Sequence, residues 1–295
     1  MIPDAWRGHL AMLLFSALVA GSYSLGALSA NLVAPTAFTA ARFLIAAAII
    51  GAAVVATGSG SRADFAAPWR YLILGALFAS YFVLMFVALK TAAPVSTAAV
   101  FTLTPVMSAV FGWLLLRQVT TGRMALALCI GAVGALWVIF RADWGAFLRF
   151  AIGRGEAVFF VGCIAHALYT PLVRKLNRGE SPLVFSFGMM LAGLMVLVFW
   201  SWGDIRATDW ASLPGIVWIT LAYTAIFASA ATFVLLQYAT LRLPSAKVMA
   251  YTYLTPSWVI LWEIALGHGA PRGLVLGGVV MTMLALLLLL KDEAH

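Results

Sequence analysis

The tripeptide Leu103-Thr104-Pro105 lies in the middle of an apolar run from about Pro94 to Leu116, and the same three residues recur as Leu254-Thr255-Pro256 in a run from about Ser245 to Leu266. The shift is 151 positions. At a shift of 147 positions Arg7-Gly8 returns as Arg154-Gly155, Pro35 as Pro182 and Phe38 as Phe185. A four-residue insertion in the loop after the seventh apolar run reconciles the two shifts. The matches keep their order and fall at equivalent places, so the chain reads as a duplication, with residues 1–147 as the first unit and 148–295 as the second. The competing reading is chance similarity among apolar helices drawn from few residue types.

The rest of the chain has the same character. Only 18 basic and 10 acidic residues stand among 295, the chain is 64% hydrophobic, and its mean hydropathy is +1.04. A soluble domain is about one-quarter charged, so this composition calls for lipid as solvent. A helix needs about 20 apolar residues to cross the hydrocarbon core. Ten such runs are expected, at roughly His9 to Leu28, Pro35 to Thr57, Trp69 to Leu89, Pro94 to Leu116, Gly122 to Phe140, Gly155 to Val173, Pro182 to Trp202, Ala211 to Ala239, Ser245 to Leu266 and Pro271 to Leu290. The eighth is long enough to be tilted or to begin with an interfacial stretch around Trp210. Pro35, Pro94, Pro182 and Pro271 stand at helix starts, where a missing N–H costs nothing. The fold class is therefore all-α and polytopic, with ten transmembrane helices in two five-helix repeats. An odd number of spans per repeat inserts the second upside down, an arrangement typical of secondary transporters.

Eleven basic residues fall in connecting segments on the side of the N-terminus and six on the other side. The positive-inside rule then puts both termini in the cytoplasm. Arg7 gives the first run the look of a signal peptide, but Leu28-Ser29-Ala30 is a poor cleavage site, and the run is the counterpart of the sixth. Cys129 and Cys163, 34 apart inside apolar runs, suggest neither a disulfide framework nor a metal site. The formal charge of +8 is dispersed between apolar blocks, which speaks against nucleic-acid binding. No His-Glu-x-x-His, no pair of mid-span aspartates and no phosphate loop after Gly21 to Gly26 is present, so neither an intramembrane enzyme nor a cofactor is expected. An ion channel fits poorly with internal inversion.

Ala167-Leu168-Tyr169-Thr170-Pro171-Leu172-Val173-Arg174-Lys175-Leu176, Ala41-Arg42-Phe43-Leu44-Ile45-Ala46-Ala47 and the paired Leu-Thr-Pro resemble the EamA-type branch of the drug/metabolite transporter superfamily. The resemblance covers essentially the whole chain. It implies ten spans in two sets of five, an N-terminus inside, and alternating access. Tyr253-Leu254-Thr255-Pro256-Ser257-Trp258 followed by Trp262-Glu263 is most similar to that branch's YddG-type aromatic amino-acid exporters. The resemblance implies small-molecule cargo, an amino acid first and other metabolites or drugs second, in a bacterial inner membrane. A monomer or weak homodimer is expected. Many relatives carry a Glu about thirteen residues after each Leu-Thr-Pro proline; here Gln118 and Gly269 stand there, so no role of that Glu carries over.

Ionisable groups inside a span are expensive, and each demands an account. Arg42 lies about 10 Å into the second span at 1.5 Å per residue. It either ties backbone carbonyls together or holds a substrate carboxylate in a bidentate fork. Glu263, Glu156 and His166 are either solvated or helix-bonded groups, or sites that meet an ammonium or carry a coupling proton. Pro105 and Pro256 fall mid-span; each frees a carbonyl, Phe101 or Thr252, that can bind cargo, or acts as a hinge. Tyr81, Phe101, Tyr223 and Tyr251, with Tyr23 nearer the outer mouth, are candidate walls for bulky amphipathic cargo, core packing being the alternative for each.

Overall fold

The computed structural model describes residues 4–149, 151–271 and 273–290. Arg272 and Lys291, counted above for orientation, lie outside the described residues. Among those described, every regular element is helical. Nine helices among the described residues are long and apolar enough to cross a membrane. They are α1 (Asp4–Ser29), α2 (Pro35–Thr57), α3 (Trp69–Ala88), α4 (Pro94–Leu116), α5 (Gly122–Ile139), α6 (Arg154–Leu176), α7 (Pro182–Ala207), α8 (Gly215–Thr240) and α10 (Gly273–Leu290). The expected ninth run is present as a broken helix, α9, made of Ser245–Ala250, a 3₁₀ turn Tyr251–Leu254 and Thr255–Ala265. Backbone with no water to bond must satisfy itself, which is why helices dominate.

Proline marks the starts as expected at Pro35, Pro94 and Pro182, each in the first turn of its helix. Pro271 lies outside α10, which begins at Gly273. The stretch around Trp210 is a separate 3₁₀ turn, Trp210–Ser212, ahead of Pro214 and α8.

Both Leu-Thr-Pro sequences break their helix and start another. α4 consists of Pro94–Phe101 and Thr104–Leu116, with Pro105 in the first turn of the second piece. Pro256 stands in the same position of Thr255–Ala265. The preceding leucines have nearly the same backbone: Leu103 at φ −81°, ψ −13° and Leu254 at φ −83°, ψ −16°. The carbonyls expected to be free are occupied. Thr104 Oγ1 donates to the Phe101 carbonyl at 2.7 Å, and the Thr255 amide donates to that of Thr252. Each carbonyl thus accepts one local bond and keeps a second lone pair, and the prolines stand at breaks in the helix.

Packing pairs α2 with α7, α4 with α9, and α5 with α10. Around these, α3 packs on α6 and α7, α6 on α4, α8 on α1 and α2, and α1 on α9. Several contacts bring backbone against backbone. A Cβ on Gly75 of α3 would lie 2.5 Å from the Gly193 nitrogen and 2.7 Å from the Met189 carbonyl oxygen of α7, and one on Gly134 of α5 would lie 2.7 Å from the Gly278 carbonyl oxygen of α10. Backbone cannot step aside as a side chain can. Gly75→Ala should therefore cost about 1–3 kcal/mol and lower the unfolding midpoint in detergent. Gly203→Ala, where a Cβ meets nothing within 4 Å, should not lower that midpoint in the same assay, since alanine favours the helix over glycine.

Candidate functional site

The site begins with a charge that lipid does not tolerate. Arg42 on α2 is completely buried. Its Nε donates to Ser229 Oγ at 2.6 Å and its Nη2 to the Ala228 carbonyl at 2.5 Å. Both partners lie in a π-helical turn, Ile226–Ala231, inside α8. A π turn loosens the backbone ladder at its own residues, and here the guanidinium binds a carbonyl within it. The Phe82 ring covers the guanidinium at 3.6 Å. Nη1 is buried and has no partner among the described residues. An unpaired buried donor costs about 1–3 kcal/mol, so this nitrogen is the strongest feature of the region that calls for an acceptor.

Beyond Phe82 the aromatic side chains converge. The Tyr81 ring centroid lies 4.9 Å from that of Phe82, 5.6 Å from those of Phe101 and Phe159, and 4.5 Å from His166. The Tyr81 and Tyr23 hydroxyls are 3.3 Å apart. His166 also packs on Phe101 and Phe78, and its Nδ1 has no partner. Further along, Gln237 Nε2 donates to the Tyr169 hydroxyl at 2.7 Å. Each helix contributes by spacing: Phe78, Tyr81 and Phe82 share one face of α3, and Phe159, His166 and Tyr169 recur along one side of α6. The cluster thus draws on α1, α3, α4 and α6, with α2 and α8 supplying Arg42 and its anchor.

The remaining expected site residues are dispersed. Thr252 Oγ1 lies 3.2 Å from Thr104 Oγ1, joining the two helix breaks beside Phe101. Tyr223 donates to the Leu18 carbonyl at 2.9 Å and packs on Phe227 and Trp262, outside the cluster. Tyr251 meets His9 Nδ1 at 3.1 Å. Glu263 meets His268 Nδ1 at 2.9 Å near the end of α9. Glu156 is buried, accepts from Ser96 Oγ at 2.8 Å and borders a crevice of about 380 Å³ with Arg141 and Asp143. Tyr23, expected nearer the mouth, is central. Phe82, Phe159 and Ser229 escaped sequence reasoning; helical spacing from Tyr81 and His166 pointed to the two phenylalanines, but nothing local points to Ser229.

A second buried arginine also escaped it. Arg70, at the start of α3, donates to Glu180 Oε1 and to the Leu176 carbonyl, both at 2.6 Å. This pair ties the α2–α3 connection to the α6–α7 connection. Burial alone raises the Glu180 pKa, but hydrogen bonds from Arg70 and from the Arg178 amide outweigh it and hold the carboxyl below its ordinary 4.5.

The EamA-like transporter family pattern matches residues 6–140 and again residues 153–291. The arrangement is that of a multi-pass membrane transporter, and the chain belongs to the EamA-like family of the drug/metabolite transporter superfamily. It is 23% identical to the "Uncharacterized transporter YyaM" of Bacillus subtilis (strain 168) over 277 residues, 93% of this chain and 91% of the relative. A crystal structure of a protein 20% identical in sequence shares the fold at a TM-score of 0.73, over 97% of this chain and 96% of that one. The family places the chain among transporters rather than enzymes.

A carboxylate whose pKa is depressed by folding stabilises above its ordinary pKa, and that stability is lost as pH falls through the lower folded value. Glu180→Gln leaves Arg70 without its counter-charge and should cost about 3–5 kcal/mol at neutral pH. The difference in unfolding midpoint between wild type and variant should shrink as pH is lowered below 4.5; a pH-independent difference would show that the ion pair is not its source.

Proposed function

We propose that the chain exports amino acids, aromatic and other apolar ones first, across a bacterial cytoplasmic membrane by alternating access. In this reading the ten segments all cross, both termini are cytoplasmic, and residues 1–147 and 148–295 are two inverted repeats. Three observations support the repeats. The family pattern matches twice in tandem. The helix pairing is unchanged when the first five helices exchange places with the second five, so that α3 on α6 becomes α8 on α1, and α4 on α6 becomes α9 on α1. The leucines that precede Thr104 and Thr255 at the two breaks have nearly the same backbone angles.

The observation that carries the substrate reading is Arg42 Nη1, a buried and unpartnered cationic donor above an aromatic cluster. A charge-assisted hydrogen bond to a carboxylate would satisfy it, and the rings of Phe82, Tyr81, Phe101 and Phe159 suit an apolar side chain. The likeness of Tyr253 to Glu263 to the YddG-type exporters adds to this. The wider reading, export of other metabolites or drugs, draws on the same cluster, whose walls are mostly aromatic and carry one charge. Glu156, Glu263 and His166 are the groups offered for proton coupling.

Flux of labelled amino acids into proteoliposomes, with and without a pH gradient, tests this. Arg42→Ala and Tyr81→Ala should each lower flux at least about tenfold while membrane expression stays intact. Unchanged flux in both would overturn the site.

A further inference from the structure

We infer that the central site recognises the carboxylate of its cargo and not the ammonium, so that aromatic monocarboxylates lacking the amine are also carried. The inference rests on the aromatic-site reading above and extends it to the charge of the substrate.

The argument is an inventory of buried charge. Arg42 contributes one positive charge at the edge of the cluster, and its contacts are a hydroxyl, a carbonyl and a phenyl ring. Among the described residues, two carboxylates are buried, Glu156 and Glu180. Each is committed elsewhere, Glu156 to Ser96 and Glu180 to Arg70. The rings that meet Tyr81 are Tyr, Phe and His. A cargo carboxylate placed on Nη1 therefore neutralises a charge that the protein leaves open.

Within the cluster an ammonium has no such counterpart; Glu263 Oε1 is buried without a partner among the described residues, but it stands beside His268 near the end of α9, outside the cluster. Leaving water is costly for an ion, and aromatic faces return only part of that cost. The Phe82 face is already taken by the guanidinium. Gln237 presents an unpartnered Oε1, but a neutral acceptor satisfies a hydroxyl as well as it satisfies an ammonium. Replacing the ammonium by a hydroxyl thus removes a desolvation cost and forfeits no ion pair.

The test is counterflow in proteoliposomes of the full-length wild-type protein, with protein-free vesicles as background. The labelled probes are phenylalanine, phenyllactate and phenethylamine. Phenyllactate keeps the ring and carboxylate with a hydroxyl for the ammonium; phenethylamine keeps the ring and ammonium alone. Phenyllactate should accumulate at least about as fast as phenylalanine, and phenethylamine at least about tenfold more slowly. Phenyllactate flux should vanish in Arg42→Gln reconstituted at matched density. Phenylalanine moving while phenyllactate does not, or phenethylamine keeping pace with phenyllactate, overturns the inference and leaves the aromatic site standing. Phenyllactate moving alone upholds the inference and removes the amino-acid reading. If none of the three moves, both fail.

Discussion

Lipid offers no hydrogen bonds, and that constraint organises this molecule. A soluble helix can end or bend and let water take the loose amides and carbonyls; a helix in hydrocarbon cannot. Each interruption here is met from within the protein. Thr104 caps the carbonyl of Phe101 where α4 breaks, and Thr282 of α10 donates to the Tyr253 carbonyl at 3.0 Å where α9 breaks. In α8 the Ala228 carbonyl, inside the π turn, accepts from Arg42. There a guanidinium that needs acceptors and a loosened backbone meet each other's requirements, and the charge is tolerated because the backbone beside it is irregular. The Nη1 donor lies outside that exchange, which is why it carries the functional reading.

Much of the frame was readable from local rules. Apolar runs of about 20 residues marked out nine of the helices, prolines in first turns fixed three of their starts, and the paired Leu-Thr-Pro located both breaks. These signals act over a few residues, so a linear reading suffices. The ninth run was found as a hydrophobic segment, but its 3₁₀ turn was not, because composition says nothing of hydrogen-bond pattern. The site was less accessible. Depth along a span can be counted at 1.5 Å per residue, and it set Arg42 about 10 Å into its helix. The direction in which a residue points depends on neighbouring helices. Tyr223, Tyr251 and Glu263 were candidates by residue type, and they meet Leu18, His9 and His268, away from the aromatic cluster. Ser229 is 187 residues from the arginine it anchors, and the Arg70–Glu180 pair joins two loops that no local pattern relates.

The two halves are alike in frame and unlike in chemistry. At the 147-residue shift Arg42 corresponds to Met189, a buried apolar residue, so the charge exists once. His9 and Glu156 correspond in the same way, and each bonds to a Leu-Thr-Pro helix: His9 to Tyr251 in the 3₁₀ turn of α9, Glu156 to Ser96 in the first turn of α4. On the two-repeat reading these contacts stand at opposite faces. In the proposed alternating-access reading that division has a use. Closing each face would require a device apiece, and duplication would supply the pair. Recognition in the same reading takes place once, at a centre both faces share, so a single guanidinium suffices. A second one at the equivalent position would add another buried charge near the first, with its own desolvation to offset. The asymmetry at the centre thus follows from the low-dielectric environment, which makes each further buried charge costly.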